Sequence, residues 1–247
     1  MESQSKVIPI LVVAHPQRRK LATALSDLVS AEAVSWDVDS QLKCEGNHMQ
    51  GWEWIIQTNA PWICVLEDDA IPCLHFREQI HAVVKCANTD IISLYLGRGR
   101  PDQWQLPISS VIVKDVCFIR SDTLLSTVGY LIRTEVLREM WQDFSKSPWP
   151  KKQELPQRMS NWAKAHKKPI SYTRPSLVNH HDLPSVTPVK DRPDKQHRTE
   201  KRRAWLFDWR KEWDSSYVDL PKPDLRTREK IRRHLSIVKD SSGDSAL

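Results

Sequence analysis

Three consecutive acidic residues, Glu67, Asp68 and Asp69, follow the apolar run at residues 62–66. The run predicts a short buried strand, and Pro72 shortly after the acids predicts a turn. Three carboxylates at the end of a buried strand repel one another and are costly to desolvate. Divalent cations such as Mg²⁺ and Mn²⁺ prefer oxygen ligands of this kind and often share them with phosphates. The triplet therefore predicts a cation site, and a solvated acidic turn is the alternative.

Apolar runs alternate with amphipathic patterns over the part of the chain that surrounds these acids. The runs at residues 7–14, 33–38, 62–66 and 89–96 predict strands, and the patterns at 21–28, 46–56 and 76–87 predict helices. Further strands are predicted at 111–119, 128–132, 170–172 and 176–178, and further helices at 135–144 and 154–166. This alternation predicts an α/β fold with a mostly parallel sheet and right-handed crossovers. The ligand crevice of such a sheet lies beyond the carboxyl ends of its strands, where the acids fall.

The character of the sequence changes after about residue 188, where it becomes charged and rich in proline. Leu206, Trp209 and Trp213 are spaced as on a short helix, and residues 231–238 form a basic amphipathic pattern. Residues 241–247 are expected to be disordered. We therefore predict one α/β domain over residues 1–188 and a basic, partly helical C-terminal extension over residues 189–247.

Composition limits the class of protein. The chain has 247 residues, a net charge of +6 and 40% hydrophobic residues, as expected of a globular protein with a sizeable core. Its five cysteines include no CxxC pair, which predicts free thiols in a reducing compartment. The apolar run at residues 7–14 is too short for a membrane span, and no signal peptide is recognisable. We expect a cytoplasmic protein without a membrane span.

The order of these parts, together with the stretch Leu-Glu-Asp-Asp-Ala at residues 66–70, resembles the lipopolysaccharide-type branch of the GT-A glycosyltransferases. These enzymes transfer a sugar from a nucleotide diphosphate. The resemblance implies a GT-A-like fold and an Mn²⁺ or Mg²⁺ ion that bridges the two donor phosphates. It implies that Asp69 is the direct metal ligand, that Glu67 contacts the metal shell or the donor ribose, and that Asp68 lies near the donor sugar and takes part in catalysis. Glu67 departs from the aspartate usual at that position.

Two later stretches extend the resemblance. The sequence Pro-Ser-Leu-Val-Asn-His at residues 175–180 is similar to a stretch that ends many GT-A cores, which implies that His180 completes the metal shell. Inverting GT-A enzymes also carry a carboxylate at the start of a late helix as the general base. Glu154 lies at the corresponding place, and a favourable first-turn helix residue is the alternative reading.

The resemblance also implies roles for residues that bind the donor and the acceptor. The donor base and ribose would be surrounded by His15, Arg18, Arg19, Asp37 and Asp39, and Asn47 would lie near the donor sugar. The loop at residues 97–101, which no helix clearly follows, is expected near the acceptor, with Arg98, Arg100 and Trp104 as contacts. The alternatives are plain surface charge for Arg18 and Arg19, a turn at a helix start for Asn47, and a packed side chain for Trp104.

The acceptor has three candidates: a glycan, a protein hydroxyl, or a hydroxymethylated base in DNA. The layout is similar to small phage-encoded glycosyltransferases, which would place the protein in a host cytoplasm. Basic residues interleaved with tryptophans in the extension suit nucleic acid, and a solvated charged surface is the alternative.

Two other function classes stay open at this point. Clustered acids with a histidine are compatible with a two-metal nuclease or phosphohydrolase, for which Asp90 and Asp115 are the nearest further acids. A non-catalytic nucleic-acid-binding module built on the basic extension is the second.

Overall fold

An eight-stranded sheet forms the centre of the protein. The computed structural model describes residues 7–99, 101–147, 153–183, 186 and 202–224. The strands of the sheet are β1 (Ile10–Ala14), β2 (Ala33–Trp36), β3 (Trp62–Glu67), β5 (Ile91–Ser93), β6 (Phe118–Ser121), β7 (Gly129–Arg133), β8 (Ile170–Thr173) and β10 (Tyr217–Asp219). A separate two-stranded sheet pairs β4 (Ala70–Pro72) with β9 (Val178–His180). The described α-helices are α1 (Arg19–Val29), α2 (Lys43–Ile55), α3 (Phe76–Cys86), α4 (Gln105–Ile112), α5 (Thr134–Lys146) and α6 (Leu155–Ala165).

The strand order of the large sheet is β10-β6-β8-β5-β7-β3-β1-β2. Strands β1, β2, β3, β5 and β8 run in one direction, and β6, β7 and β10 run in the other. The predicted α/β architecture with a mostly parallel sheet is therefore confirmed. The chain leaves β1 for β2 on one side and then places β3 on the other side of β1. This reversal creates a crevice at the carboxyl ends of β1 and β3, where ligands bind in folds of this kind.

The core consists of two hydrophobic clusters, one on each face of the large sheet. Along β1, Leu11 and Val13 belong to one cluster and Ile10 and Val12 to the other. Successive side chains of a strand point to opposite faces, so a strand covered on both faces is apolar at every position. This explains why the run that contains β1 is continuous.

The predicted strand at residues 111–119 is wrong in its first half. Residues 111 and 112 end α4, and β6 begins only at Phe118. Ile108 and Val111 are buried three residues apart, which is helical spacing that the β-branched composition concealed. A helix does therefore follow the loop at residues 97–101. Other shifts are smaller: β5 covers only part of the run at 89–96, β9 lies two residues later than predicted, and α2 begins at Lys43.

The predicted helix through Leu206, Trp209 and Trp213 is also wrong. Residues 202–224 contain no helix and lead in extended form to β10, which pairs with β6 of the main sheet. Leu206 and Trp209 are 39% and 42% exposed, so the three side chains do not share one buried face. The predicted helix at 231–238 and the predicted disorder at 241–247 lie outside the described residues. The boundary at residue 188 stays a prediction.

All five cysteines are free, as predicted; three are buried, Cys86 is half-buried and Cys44 is exposed. Among the residues with described positions, none of the helices combines the length and apolar character that a membrane span requires.

Candidate active site

The acidic triplet lies where β3 ends and the chain turns into β4. The backbone N–H of Asp68 donates to the carbonyl of Val13 at 3.0 Å, which ties the turn to the end of β1. Strand β4 then pairs with β9 so that Ala70 lies opposite His180. The N–H of His181 donates to the carbonyl of Asp69 at 2.9 Å. Pairing of two short strands thus brings the two sequence motifs together.

Asp68 and Asp69 share the guanidinium group of Arg18. Its Nη1 lies 2.8 Å from Oδ1 of Asp68 and 2.5 Å from Oδ2 of Asp69. The other oxygen of Asp68, Oδ2, accepts a hydrogen bond from the backbone N–H of His15 at 2.8 Å. Burial raises the pKa of Asp68, and the hydrogen bonds from His15 and Arg18 oppose that rise. Arg18 therefore supplies positive charge at the place where the sequence predicts a metal ion.

His180 is buried beside Asp69, with its Nε2 3.4 Å from Oδ2 of the carboxylate. Its Nδ1 accepts a hydrogen bond from the backbone N–H of Asp182 at 2.7 Å. In the neutral ring the hydrogen therefore sits on Nε2 and faces Asp69. Burial lowers the pKa of His180, which favours this neutral form. His180 could bind a metal through Nε2 only if that hydrogen moved to Nδ1, which would break the hydrogen bond from Asp182.

Asp69 retains one open oxygen. Its Oδ1 is buried and has no hydrogen-bond partner among the described residues. A buried carboxylate oxygen without a partner is costly, and a bound cation would satisfy it. The carboxylates of this site thus fit a hard divalent ion.

Glu67 has different neighbours from the other two acids. Its Oε1 accepts a hydrogen bond from Oγ1 of Thr127 at 2.6 Å and lies 3.8 Å from Nε2 of His48. Burial, followed by the negative charge of Asp69, raises the pKa of Glu67 to about 7. The triplet is therefore divided: Asp68 and Asp69 face Arg18 and His180, whereas Glu67 faces α2.

His48 was not singled out by the sequence analysis. Its ring is fully buried, and its Nδ1 donates to the carbonyl of Cys44 at 2.9 Å. Burial lowers the pKa of His48 to about 4, so the ring is neutral. Cys44, His48 and Glu67 offer three ligand atoms that all lie within 4.8 Å of one another. The sequence signal was the spacing of Cys44 and His48, which share one face of a helix at i, i+4.

The residues predicted around the donor base and ribose fall into two groups. His15 is half-buried, with Nε2 3.1 Å from Oγ of Ser40, and Asp39 is exposed. Arg19 is exposed and lies over the ring of Trp36, 5.2 Å from its centroid. These side chains lie just beyond β1 and β2, and their contact with the donor stays a prediction.

The side chains of Asp37 and Asn47, by contrast, form hydrogen bonds within the protein. Both oxygens of Asp37 accept hydrogen bonds from backbone N–H groups at the start of α2, those of Leu42 and Lys43, at 2.9 and 3.0 Å. Asn47 donates to the carbonyl of Ala14 at 2.9 Å and its Oδ1 accepts from Ser35 at 2.7 Å. Both residues hold α2 against the ends of β1 and β2, so we assign them a positioning role.

Of the three predicted acceptor contacts, the structure describes Arg98 and Trp104. Arg100 lies outside the described residues. Arg98 donates to the carbonyl of Trp205 at 3.0 Å and stacks over its ring, so it anchors the C-terminal extension. Trp104 is only 8% exposed and belongs to the core, which argues against stacking on an acceptor.

Glu154 is exposed immediately before α6. That is the position implied for the base, and it equally suits a favourable residue at a helix start.

The further acids that a two-metal nuclease would need are engaged elsewhere. Asp90 pairs with Arg133 at 3.1 Å and Lys168 at 2.8 Å. Asp115 has an 87% exposed side chain that lies 3.4 Å from Arg174 and from Arg210. Neither is among the carboxylates described around Asp69.

A model of a known protein family matches the middle of the chain. Residues 38–154 match the model of glycosyltransferase family 25, described as an LPS biosynthesis protein. The resemblance to GT-A-type glycosyltransferases is confirmed. The matched stretch contains α2 and the acidic triplet and ends before His180. No curated protein matches the chain.

Two solved structures are similar in part. One is A197 from STIV, with 10% identity, a TM-score of 0.42, and coverage of 70% of this chain and 85% of that chain. The other is a glycosyltransferase involved in the glycosylation of the major capsid of PBCV-1, with 13% identity, a TM-score of 0.31, and coverage of 76% and 89%. Both TM-scores are low, so the fold class rests on the strand order described above.

Proposed function

We propose that the chain transfers a sugar from a nucleotide diphosphate to an acceptor hydroxyl with the help of Mn²⁺ or Mg²⁺. The observation that carries this proposal is the convergence of Asp69 and His180, 111 positions apart in the chain, at 3.4 Å. They meet at the carboxyl end of β3, beside the strand-order reversal where such folds bind nucleotides. The family match at residues 38–154 supports the same reaction class.

Asp69 would hold the metal ion through its open Oδ1. His180 would complete the shell if its ring hydrogen moved from Nε2 to Nδ1 and the hydrogen bond from Asp182 were given up. When bound, the ion neutralises the charge that grows on the donor diphosphate as the sugar–phosphate bond breaks. In the same proposal, Asp68 lies near the donor sugar, and His15, Arg19 and Asp39 contact the base and ribose. The resemblance also implies that Glu67 contacts the metal shell or ribose, whereas the groups that face its Oε1 are Thr127 and His48.

We also propose a role for Arg18 in binding the donor phosphates. Its guanidinium compensates Asp68 and Asp69 in the absence of a cation, and it would turn to a donor phosphate when a cation takes the carboxylates. Arginine pairs well with phosphate oxygens because its fork of N–H groups matches their geometry. Glu154 is the proposed general base, and direct attack with its help would invert the anomeric configuration.

We propose that the acceptor is a glycan, a protein hydroxyl or a hydroxymethylated base in DNA. Three described basic residues of the extension are already paired: Arg202 with Asp182 at 2.7 Å, Arg210 with Asp115 at 3.4 Å and Lys222 with Asp122 at 3.4 Å. Arg203 and Lys211 are exposed and are the described candidates for phosphate contact. Neutralising both by Arg203→Gln and Lys211→Gln should reduce the salt dependence of DNA binding by about one contact each. An unchanged salt slope would remove DNA from the candidates for this surface.

The transferase proposal is tested by incubating the full chain with UDP- and GDP-sugars and Mn²⁺ and measuring nucleotide release. We expect release with one donor class, and loss of about 100-fold or more in Asp69→Asn, because the change removes a ligand charge. The matched control is Asp27→Asn on the exposed side of α1, which should behave as the unaltered protein. DNA cleavage without any sugar donor would indicate the nuclease instead, and DNA binding with neither activity would indicate the binding module.

A further inference from the structure

Glu67 and His48 face each other as two hydrogen-bond acceptors. The carbonyl of Cys44 can only accept, so the hydrogen bond at 2.9 Å places the ring hydrogen of His48 on Nδ1. Nε2 is therefore a lone pair; it is buried and has no partner among the described residues. It lies 3.8 Å from Oε1 of Glu67, which is itself an acceptor from Thr127. Two acceptors that face each other in this way repel unless a proton or a metal cation lies between them.

Cys44 adds a third donor atom to this pair. It precedes His48 by one helical turn on α2, and its Sγ lies 3.7 Å from Nδ1 of His48. One ligand atom each from Cys44, His48 and Glu67 lie within 4.8 Å of one another. Thiolate, imidazole and carboxylate together are the ligand set of Zn²⁺ and similar ions, whereas Mg²⁺ and Mn²⁺ favour oxygen alone. The chemistry of this cluster therefore differs from that of the Asp69 site.

The surroundings of the cluster are those of a metal site. Metal-binding histidines commonly donate their other ring N–H to a backbone carbonyl, which fixes the tautomer. His48 does this through Cys44, and the carboxylate of Glu67 is likewise held by the hydroxyl of Thr127. His180 shows the opposite pattern, because its Nδ1 accepts a hydrogen bond and its Nε2 carries the hydrogen. Of these two histidines, His48 is the one that presents an open lone pair.

We infer that Cys44, His48 and Glu67 form a second metal site, which takes one Zn²⁺-class ion. Three protein ligands leave a fourth position open, as in zinc sites that bind water or a substrate group. Binding would displace the Cys44 thiol proton and fix Glu67 beside α2. Glu67 would then belong to this ion and not to the Mn²⁺ or Mg²⁺ of the transferase reaction.

The test is a titration of the metal-free full chain with Co²⁺, which takes the place of Zn²⁺ and reports its ligands by absorption. We expect one equivalent to bind with a thiolate-to-cobalt charge-transfer band in the near ultraviolet, and Zn²⁺ but not excess Mg²⁺ to remove it. Cys44→Ser should abolish the band, and His48→Gln should weaken Co²⁺ binding about tenfold or more. Cys86→Ser, at a half-buried free thiol, is the matched control and should retain the band.

Thermal unfolding of each variant without metal separates loss of a ligand from loss of the fold. Absence of the band in the folded protein, or its survival in folded Cys44→Ser, would overturn the inference. Asp69→Asn should retain the band, because Asp69 is not one of the three ligands. This readout is independent of sugar transfer, so failure of the transferase proposal and failure of the zinc site give different results.

Discussion

The guanidinium of Arg18 lies 2.5 Å from the carboxylate of Asp69, and both side chains are about nine-tenths buried, at 11% and 7% exposure. The same nitrogen also contacts Asp68. An arginine thus balances two buried carboxylates that a nucleotide-bound cation is proposed to take over. Any cation that binds at Asp69 must therefore compete with Arg18 for the carboxylates.

Removal of this arginine should make the fold depend on metal. We expect Arg18→Gln to lower the free energy of unfolding by about 3–5 kcal/mol without metal, because two buried charges lose their partner. Mn²⁺ should then raise the melting temperature of the variant more than that of the unaltered protein. Arg19→Gln, at the adjacent exposed position, should change stability by less than about 1 kcal/mol. Equal Mn²⁺ shifts in both proteins would contradict competition between Arg18 and the cation.

Buried His48 should make the metal-free protein sensitive to acid. Its pKa is lowered from 6.5 to about 4, so the unfolded chain takes up a proton that the folded chain refuses. The stability is present above the unfolded pKa and is lost as pH falls from 6.5 toward 4. Between pH 7.5 and pH 5, denaturant unfolding of the unaltered protein should lose roughly 2 kcal/mol more than that of His48→Gln. Identical pH profiles would show that His48 accepts a proton in the folded state.

Gly51 is required by the packing of α2 on the sheet. A Cβ at this position would lie 2.7 Å from Cδ2 of Leu11 and 3.1 Å from Cβ of Ser35. Gly51→Ala should therefore lower the free energy of unfolding by about 1–3 kcal/mol, although alanine favours a helix. Gly46→Ala on the same helix meets only Leu42, whose Cβ would lie 3.1 Å away, so we expect a change of less than about 1 kcal/mol. Equal effects of the two changes in urea unfolding would contradict this packing.

The C-terminal extension should contribute to the stability of the main domain through Trp213. Its indole N–H donates to Gln79 at 2.9 Å, and its ring lies 5.9 Å from that of Phe118. We expect Trp213→Ala to cost about 2–3 kcal/mol in the free energy of unfolding. Trp209→Ala, at a ring that is 42% exposed, should cost less than about 1 kcal/mol. If both changes had the same small effect, residues 202–224 would be a separable appendage.

Much of the sheet was predictable because its signals are local. The continuous apolar runs of β1 and β3 and the helical spacing of α3 depend only on neighbouring residues and on burial of one or two faces. The acids after β3 also follow from local sequence, since strand ends of a parallel sheet meet at one edge. Weaker signals failed where composition and periodicity disagreed, as at residues 111–113, or where tryptophans pack against different parts of the domain, as at residues 206–213.

By itself the sequence determined the α/β class, the acids at the end of β3 and the family resemblance, because each depends on residues close together in the chain. Only the tertiary structure decided that Arg18 lies between Asp68 and Asp69, that His180 presents a hydrogen and His48 a lone pair, and that Trp104 is buried. These facts depend on the pairing of β4 with β9 and on the hydrogen bonds of each side chain. Such contacts join residues up to 111 positions apart, as for Asp69 and His180, and no local pattern specifies them.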